Sequence, residues 1–397
     1  KDPYEAYLHE LRKHHAGMPL LVAEFGVPSS RGIAHYGPLG RHQGMHTEYE
    51  QGEMEIAMLK AMKRAGVQGG IIFEWQDEWF KFTWNTINLE IPSDRRAMWL
   101  NRLTNEENFG LLAVEPGLET KVILDGQSDD WHKVRNKAVK NIGSDGVLMI
   151  TSDEAYVYLG VEFPRGSHWL DSELLLGFDN QPRGNTFVLE PEVHFPGGLE
   201  FLLSFEGNNQ AVLQVASAYD QHSYLYGYQN RMAEYHPAWE MEDNGLFLPW
   251  KLCVSYPLYL PASRLQIPFT EVEIGKLRAG TTDPASSAYD SLADYYRGEN
   301  LLEIRIPWML LGYTDPSSHK VWAYPYRNKI PYLVSTRSPG LNVHLALVKG
   351  GDEPAVQMSV YYDWDDWDVP TYHERQKQSY YMIKDFLASE LKDGYNH

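Results

Sequence analysis

The sequence predicts a multidomain chain of mixed class, an α/β segment followed by an all-β segment and a short closing strand and helix. Three observations carry this. Helical periodicity alternates with short, wholly apolar runs over roughly residues 1–105, the rhythm of a βα-barrel or a doubly wound sheet. Short β-rich runs separated by turn signals follow over about 106–350, the pattern of an antiparallel β-sandwich. A last strand and a helical pattern occupy about 351–397.

In the first segment, Tyr4, Tyr7, Leu8 and Leu11 have i, i+3, i+4, i+7 spacing, which predicts a helix from Tyr4 to His14 ended by Gly17 and Pro19. Leu20–Ala23 reads as a buried strand, and Pro28–Gly44 as a Gly- and Pro-rich loop. A second helix is expected from about Thr47 to Ala65, with Met54, Met58, Leu59 and Met62 on one face and Gly66 as its stop. Gly69–Glu74 is a second apolar strand. A further helix is expected from about Pro92–Asp94 to Leu103. Two parallel strands cannot make a stable sheet alone, so this segment is expected to be incomplete as it stands.

In the second segment, strands are expected at Lys121–Leu124, Gly146–Thr151, Ala155–Val161, Glu173–Phe178, Leu199–Phe205, Ala211–Ala216, Lys251–Tyr259, Glu271–Ile274, Leu301–Ile306 and Leu341–Leu347. Gly280–Gly298 reads as a long surface loop. In the third, Val356–Tyr362 reads as a strand and Tyr372–Leu391 as a helix.

Composition bounds the function. The net charge is -19, with 35 Lys and Arg against 54 Asp and Glu, and no basic block appears. That balance disfavours nucleic acid and an anionic membrane surface. No apolar run reaches the ~18–20 residues of a membrane span. The single cysteine, Cys253, lies in an apolar context and reads as a small buried hydrophobe; it allows no disulfide framework and no cysteine metal site. Tyrosine (26) and tryptophan (12) are abundant, and such rings either fill cores or stack on sugar faces. A chain that starts inside a helical pattern without a Met is expected to be a piece of something longer.

Glu24 and Glu74 each end an apolar strand. In a βα-barrel such carboxylates face the catalytic mouth; as simple strand ends they would face water. Pro19-Leu-Leu-Val-Ala-Glu-Phe-Gly-Val-Pro28 resembles the seventh strand of the clan A glycoside hydrolases, retaining (β/α)8-barrel enzymes that cleave β-glycosidic bonds. Gly69-Gly-Ile-Ile-Phe-Glu-Trp-Gln-Asp-Glu-Trp79 resembles their eighth strand. The resemblance implies a partial (β/α)8 TIM barrel, with Glu24 as nucleophile, Trp75 as the aromatic platform under the sugar, and Glu74, Asp77 and Glu78 as hydroxyl ligands. A retaining glycosidase pairs its nucleophile with an acid/base carboxyl about 5 Å away. In this clan that acid/base is the Glu of an Asn-Glu pair ending the fourth strand. Asn105-Glu106 is such a pair in letters only, since it follows the eighth-strand helix. The chain alone is therefore expected to be inactive. The rest of the barrel would come from an upstream segment or a separate chain.

Val122–Trp131, Asp153–Leu159, Leu174–Asn180 and Leu301–Trp308 resemble, in order, the family 9 carbohydrate-binding modules and related DOMON-like sandwiches. The resemblance implies a glycan-binding sandwich. Asp125, Asp129 and Asp179 are candidates for a structural Ca2+ site, hard cations taking several oxygen ligands; acidic turn residues facing solvent are the alternative. His14, His15, His35, His42 and His46 cluster early. His42 and His46 have an i, i+4 spacing that zinc could use, but a sugar contact by His46 fits the mouth better. Asp363-Trp-Asp-Asp-Trp-Asp368 either binds sugar or cation, or packs its tryptophans against the last helix. The function expected is a secreted or cell-surface, bacterial-type retaining glycoside hydrolase of β-linked poly- or oligosaccharide in the full-length protein, with no cofactor required. The alternative is a non-catalytic polysaccharide-binding or assembly protein with a structural barrel remnant.

Overall fold

The structure, a computed structural model, describes residues 2–134, 137–142, 146–164, 173–206, 210–327, 329, 332–348 and 355–394. It is of mixed class, with several helices and many antiparallel sheets.

Helix α1 (Pro3–His14) starts where Asp2 accepts a hydrogen bond from the Tyr4 N–H and Pro3 presets the first turn. Helix α2 (Glu48–Ala65) opens on a capping box between Thr47 and Glu50 and closes on Gly66, whose left-handed φ of 73° a residue with a Cβ would resist. Between them, strand Leu21–Phe25 pairs in parallel with Gly69–Ile72, in the register Leu21↔Gly69 and Val22↔Gly70. These two strands form a sheet of their own, so among the described residues each has an unpaired outer edge. Both helices cover one face through Leu8, Phe25, Met62, Ala65 and Val67. Leu21 and Ile71 stand 56% exposed. Gly26 answers the constraint set by the second strand: a Cβ there would lie 1.9 Å from the Phe73 carbonyl oxygen.

Two larger antiparallel sheets follow. The first runs Phe247–Pro249, Gln210–Ala216, Phe201–Glu206, Glu173–Asp179, Leu341–Val348, Ala355–Tyr362, with Lys276–Leu277 also on Gln210–Ala216. The second runs Tyr295–Arg297, Leu301–Pro307, Tyr156–Glu162, Gly146–Ser152, Ala138–Ile142. Alternate residues point inward, as the pleat requires. Leu174, Leu176 and Phe178 from the first sheet meet Val157, Leu159 and Val161 from the second in one core. Each such burial stabilises by about 1.5–3 kcal/mol. Short helix α3 (Asp129–Lys133) seats Trp131 in a neighbouring cluster with Val122, Leu124 and Tyr158.

The closing segment is shared among these parts. Ala355–Tyr362 is the edge strand of the first large sheet, and Tyr372–Gln376 pairs antiparallel with Leu112–Pro116. Helix α4 (Gln378–Gly394) then lies against α2. Gly52 permits the approach, since a Cβ there would be 2.8 Å from the Met382 sulfur.

Several sequence expectations change. The strand expected as buried at Leu20–Ala23 is not: Leu21 and Ala23 are exposed, because no neighbour beyond Gly69–Ile72 covers it among the described residues. Lys121–Leu124 is not a strand: Val122 and Leu124 are buried, but the Ile123 and Leu124 N–H groups donate to the side chains of Asp130 and Thr282 rather than to a neighbouring strand. The helix expected from Pro92–Asp94 to Leu103 is only a 3-10 turn, Ser93–Met98, held by Arg95 donating to Asp315, Ser317 and the Trp367 carbonyl. Gly280–Gly298 is no free surface loop. It buries Leu292, Ala293 and Tyr295 and brings Asp294 to Arg31 at 2.8 Å. The last helix begins at Gln378, because Tyr372–Gln376 is taken up by sheet pairing.

Candidate active site

Because the two short strands are parallel, their carboxyl ends and the loops that follow lie at the same end of the sheet. Asn85 ties those loops together, its amide donating to the Ile33 carbonyl at 2.9 Å. Glu24 sits at this end in strand Leu21–Phe25; it is exposed, and no hydrogen bond or ion pair engages its carboxylate among the described residues.

Glu74 lies two residues beyond the second strand and is fixed through its backbone. Its N–H donates to the Phe109 carbonyl at 3.3 Å, and its own carbonyl accepts from Leu111 at 3.1 Å. Its carboxylate is 3.2 Å from the Lys81 ammonium, which also reaches Glu78 at 3.0 Å and sits 4.0 Å over the Phe73 ring. Burial pushes the Glu74 carboxyl up to about 7. Lys81 opposes the rise and the neighbouring Glu78 carboxyl adds to it. A carboxyl poised there can give or take a proton near neutrality. Lys81 was not singled out from sequence; a lysine three residues after a glutamate is the only signal it carries.

Trp75 is 56% exposed, with its ring edge against Tyr380 at 6.0 Å between centroids. Its neighbour Asp77 is placed differently. The Asp77 carboxylate is buried, 2.7 Å from the Lys377 ammonium and 2.9 Å from the Gly110 N–H. Lys377, itself 2% exposed, also donates to Ser29 and to the Asn108 carbonyl. Asp77 thus anchors the closing segment rather than facing the loops. No feature of the sequence links residues 300 positions apart.

His46 is largely buried, and its ring stacks on His42 at 5.0 Å, which in turn stacks on Tyr36 at 5.9 Å. Burial, followed by the neighbouring His42, lowers the His46 pKa, so the neutral ring is favoured. Its Nδ1 is buried without a hydrogen bond. Asn105 is buried against Thr83 and the Gln43 carbonyl, and no strand carries the Asn105-Glu106 pair.

The three aspartates considered for Ca2+ do not converge. Asp125 and Asp129 line one cleft. Asp179 stands in Glu173–Asp179 beside Asn342 and His344. Among the described residues no three His, Cys, Asp or Glu side chains group as metal ligands, and none of the described helices is long and apolar enough to cross a membrane. The Asp363–Asp368 tryptophans pack, though not on α4. Trp364 stacks on His319 at 4.2 Å and touches Trp308, while Trp367 donates to the Met98 carbonyl at 2.7 Å. His319 is bracketed by Asp366 at 2.6 Å and Asp363 at 3.0 Å. Cys253 is fully buried, and burial pushes its thiol up to about 11.

Searches of protein families, of curated proteins and of solved structures found no match to the chain.

Proposed function

We propose that this chain is the C-terminal part of a retaining glycoside hydrolase acting on β-linked poly- or oligosaccharide. In this reading the parallel pair Leu21–Phe25 and Gly69–Ile72 is the last part of a (β/α)8 barrel whose other strands lie in an upstream segment or another chain. The two large sheets form a β-sandwich that binds glycan, and the full-length protein works outside a bacterial cell. The observation that carries the reading is the pair of strand ends. A solvent-facing Glu24 and a half-buried Glu74 whose carboxyl is pushed up to about 7 stand at one end of a parallel sheet whose outer edges are unpaired among the described residues. Glu24 is the nucleophile, Trp75 the sugar platform, and Glu74, Glu78 and His46 the polar surround. Asp77 orders the site from behind through Lys377.

Two tests decide it. Sequence upstream of this chain, or in a neighbouring gene, must hold six further βα units with an Asn-Glu pair; their absence sinks the reading. In the full-length protein, Glu24→Gln must abolish hydrolysis of β-glucan, mannan or xylan while binding persists; unchanged hydrolysis removes Glu24 as nucleophile.

A second reading, a non-catalytic glycan-binding or assembly protein, is favoured by a cleft in the β part of the chain. It would be supported by glycan binding without hydrolysis in the full-length protein.

A further inference from the structure

Segments 117–134, 152–154 and 362–371 enclose a cleft of about 890 Å³, within the ~300–1,000 Å³ range of ligand sites. Its aromatic wall is Tyr362, Trp364 and Trp367. The polar tips of these rings are engaged elsewhere. Trp364 donates to the Pro316 carbonyl at 2.9 Å, Trp367 to the Met98 carbonyl, and the Tyr362 hydroxyl pairs with Ser152 at 2.8 Å. Tyr362 is 4% exposed and Trp364 already stacks on His319 and Tyr362, so Trp367 and the exposed part of Trp364 offer the cleft carbon surface, with no free donor.

The remaining wall offers acceptors. Seven acidic residues line the cleft against two lysines. Lys133 is paired with Asp129 at 2.9 Å, and Lys121 donates to the Ser152 carbonyl at 2.5 Å. The Thr371 hydroxyl is likewise held by Glu154. No donor of the described chain bonds the carboxylates of Glu119 or Asp365, and Asp125 accepts only the Gln127 N–H. Burial, then the fields of Asp125 and Asp129, raises the Asp130 pKa even though two N–H groups bond it. Negative charge in the cleft is thus short of a counter-charge. The complement to such a site is a ligand rich in donors, positively charged, with flat apolar faces.

We propose that this cleft binds a chain of amino sugars, its C–H faces on Trp367 and the exposed part of Trp364 and its ammonium and hydroxyl groups on Glu119, Asp125 and Asp365. The inference rests on the carbohydrate reading above and specifies the sugar class. Neutral glycans would lack the charge term, and uronate chains would be repelled.

The test uses the 397-residue protein, in which no hydrolysis is expected to consume the probe. A β-1,4-linked glucosamine tetramer, cellotetraose and spermine are titrated calorimetrically at pH 6. The glucosamine tetramer should bind at least tenfold tighter than either, weaken as salt rises, and lose tenfold or more in Asp125→Asn/Asp365→Asn with an unchanged circular dichroism spectrum. Equal affinity for cellotetraose would show that charge does not select the ligand. Equal affinity for spermine would show that the rings do not, and no binding of the tetramer would remove the site; each overturns the proposal. Hydrolysis of neutral glycans by the full-length protein is read separately, so failure of the glycosidase reading leaves the binding result intact.

Discussion

Glu55 offers the sharpest stability prediction. It sits on α2 with 0% exposure; one carboxyl oxygen has no hydrogen-bond partner and the other is 3.4 Å from the Val27 N–H. Burial pushes its pKa up to about 8 from an ordinary 4.5, against the pull of that N–H and of Lys377. The folded state therefore keeps a proton that the unfolded chain releases. Its contribution is fully present below pH 4.5 and is lost as pH rises toward 8. The two values give a loss of about 3 kcal/mol at pH 7 and about 4 kcal/mol at pH 8, relative to acid. Glu55→Gln keeps the shape and removes the titration. Urea unfolding of both proteins at pH 5 and pH 8, followed by circular dichroism, should show wild type losing roughly 3 kcal/mol more than the variant between the two. Parallel pH dependence, within about 0.5 kcal/mol, would refute a buried neutral carboxyl at this position.

Lys377→Met leaves Asp77 buried without its cation and should cost about 3–5 kcal/mol in urea unfolding, while Lys377→Met/Asp77→Leu should recover most of it; an additive double variant would contradict the pairing. Gly52→Val drives a side chain into Met382 and should cost roughly 1–3 kcal/mol, read as an earlier melt of α4 by hydrogen exchange. Lys81→Met removes the charge that restrains Glu74, so the Glu74 midpoint, followed by carboxyl carbon NMR, should move above about 7; a downward move would contradict the assigned cause. Leu21→Asp and Ile71→Asp should change the stability of these 397 residues by under about 0.5 kcal/mol, their side chains already meeting water. The same changes should cost several times more in a protein that contains the completing strands.

What could be read from sequence was whatever rests on local pattern. The helix from about Thr47 with its Gly66 stop and the apolar β-rich runs Glu173–Phe178 and Ala155–Val161 each specify a local structure, and these formed where expected. The strand expected at Leu20–Ala23 formed as Leu21–Phe25, and Gly26 beyond it answers a close approach by Phe73. Lys121–Leu124 failed instructively. Its apolar, β-branched run was real, but side chains of Asp130 and Thr282 satisfied its backbone, which no periodicity reveals. Tyr372–Gln376 reads as helix in sequence because a helical run follows it directly. The buried Asp77–Lys377 pair and the Arg375–Glu48–Glu115 cluster depend on distant partners. The cleft at Trp364 was hidden likewise, residues 362–371 closing it against 117–134 and 152–154, some two hundred positions earlier in the chain.

The Asp77–Lys377 contact also sets an order of events during synthesis. Asp77 leaves the ribosome 300 residues before the lysine that neutralises it, which at ~5–20 residues per second is roughly 15–60 s. Throughout that interval the flank of α2 that Met382 and Ser379 will cover is open, and the aspartate must stay hydrated. The segment around Asp77 is thus made well before the part of the chain that seals it.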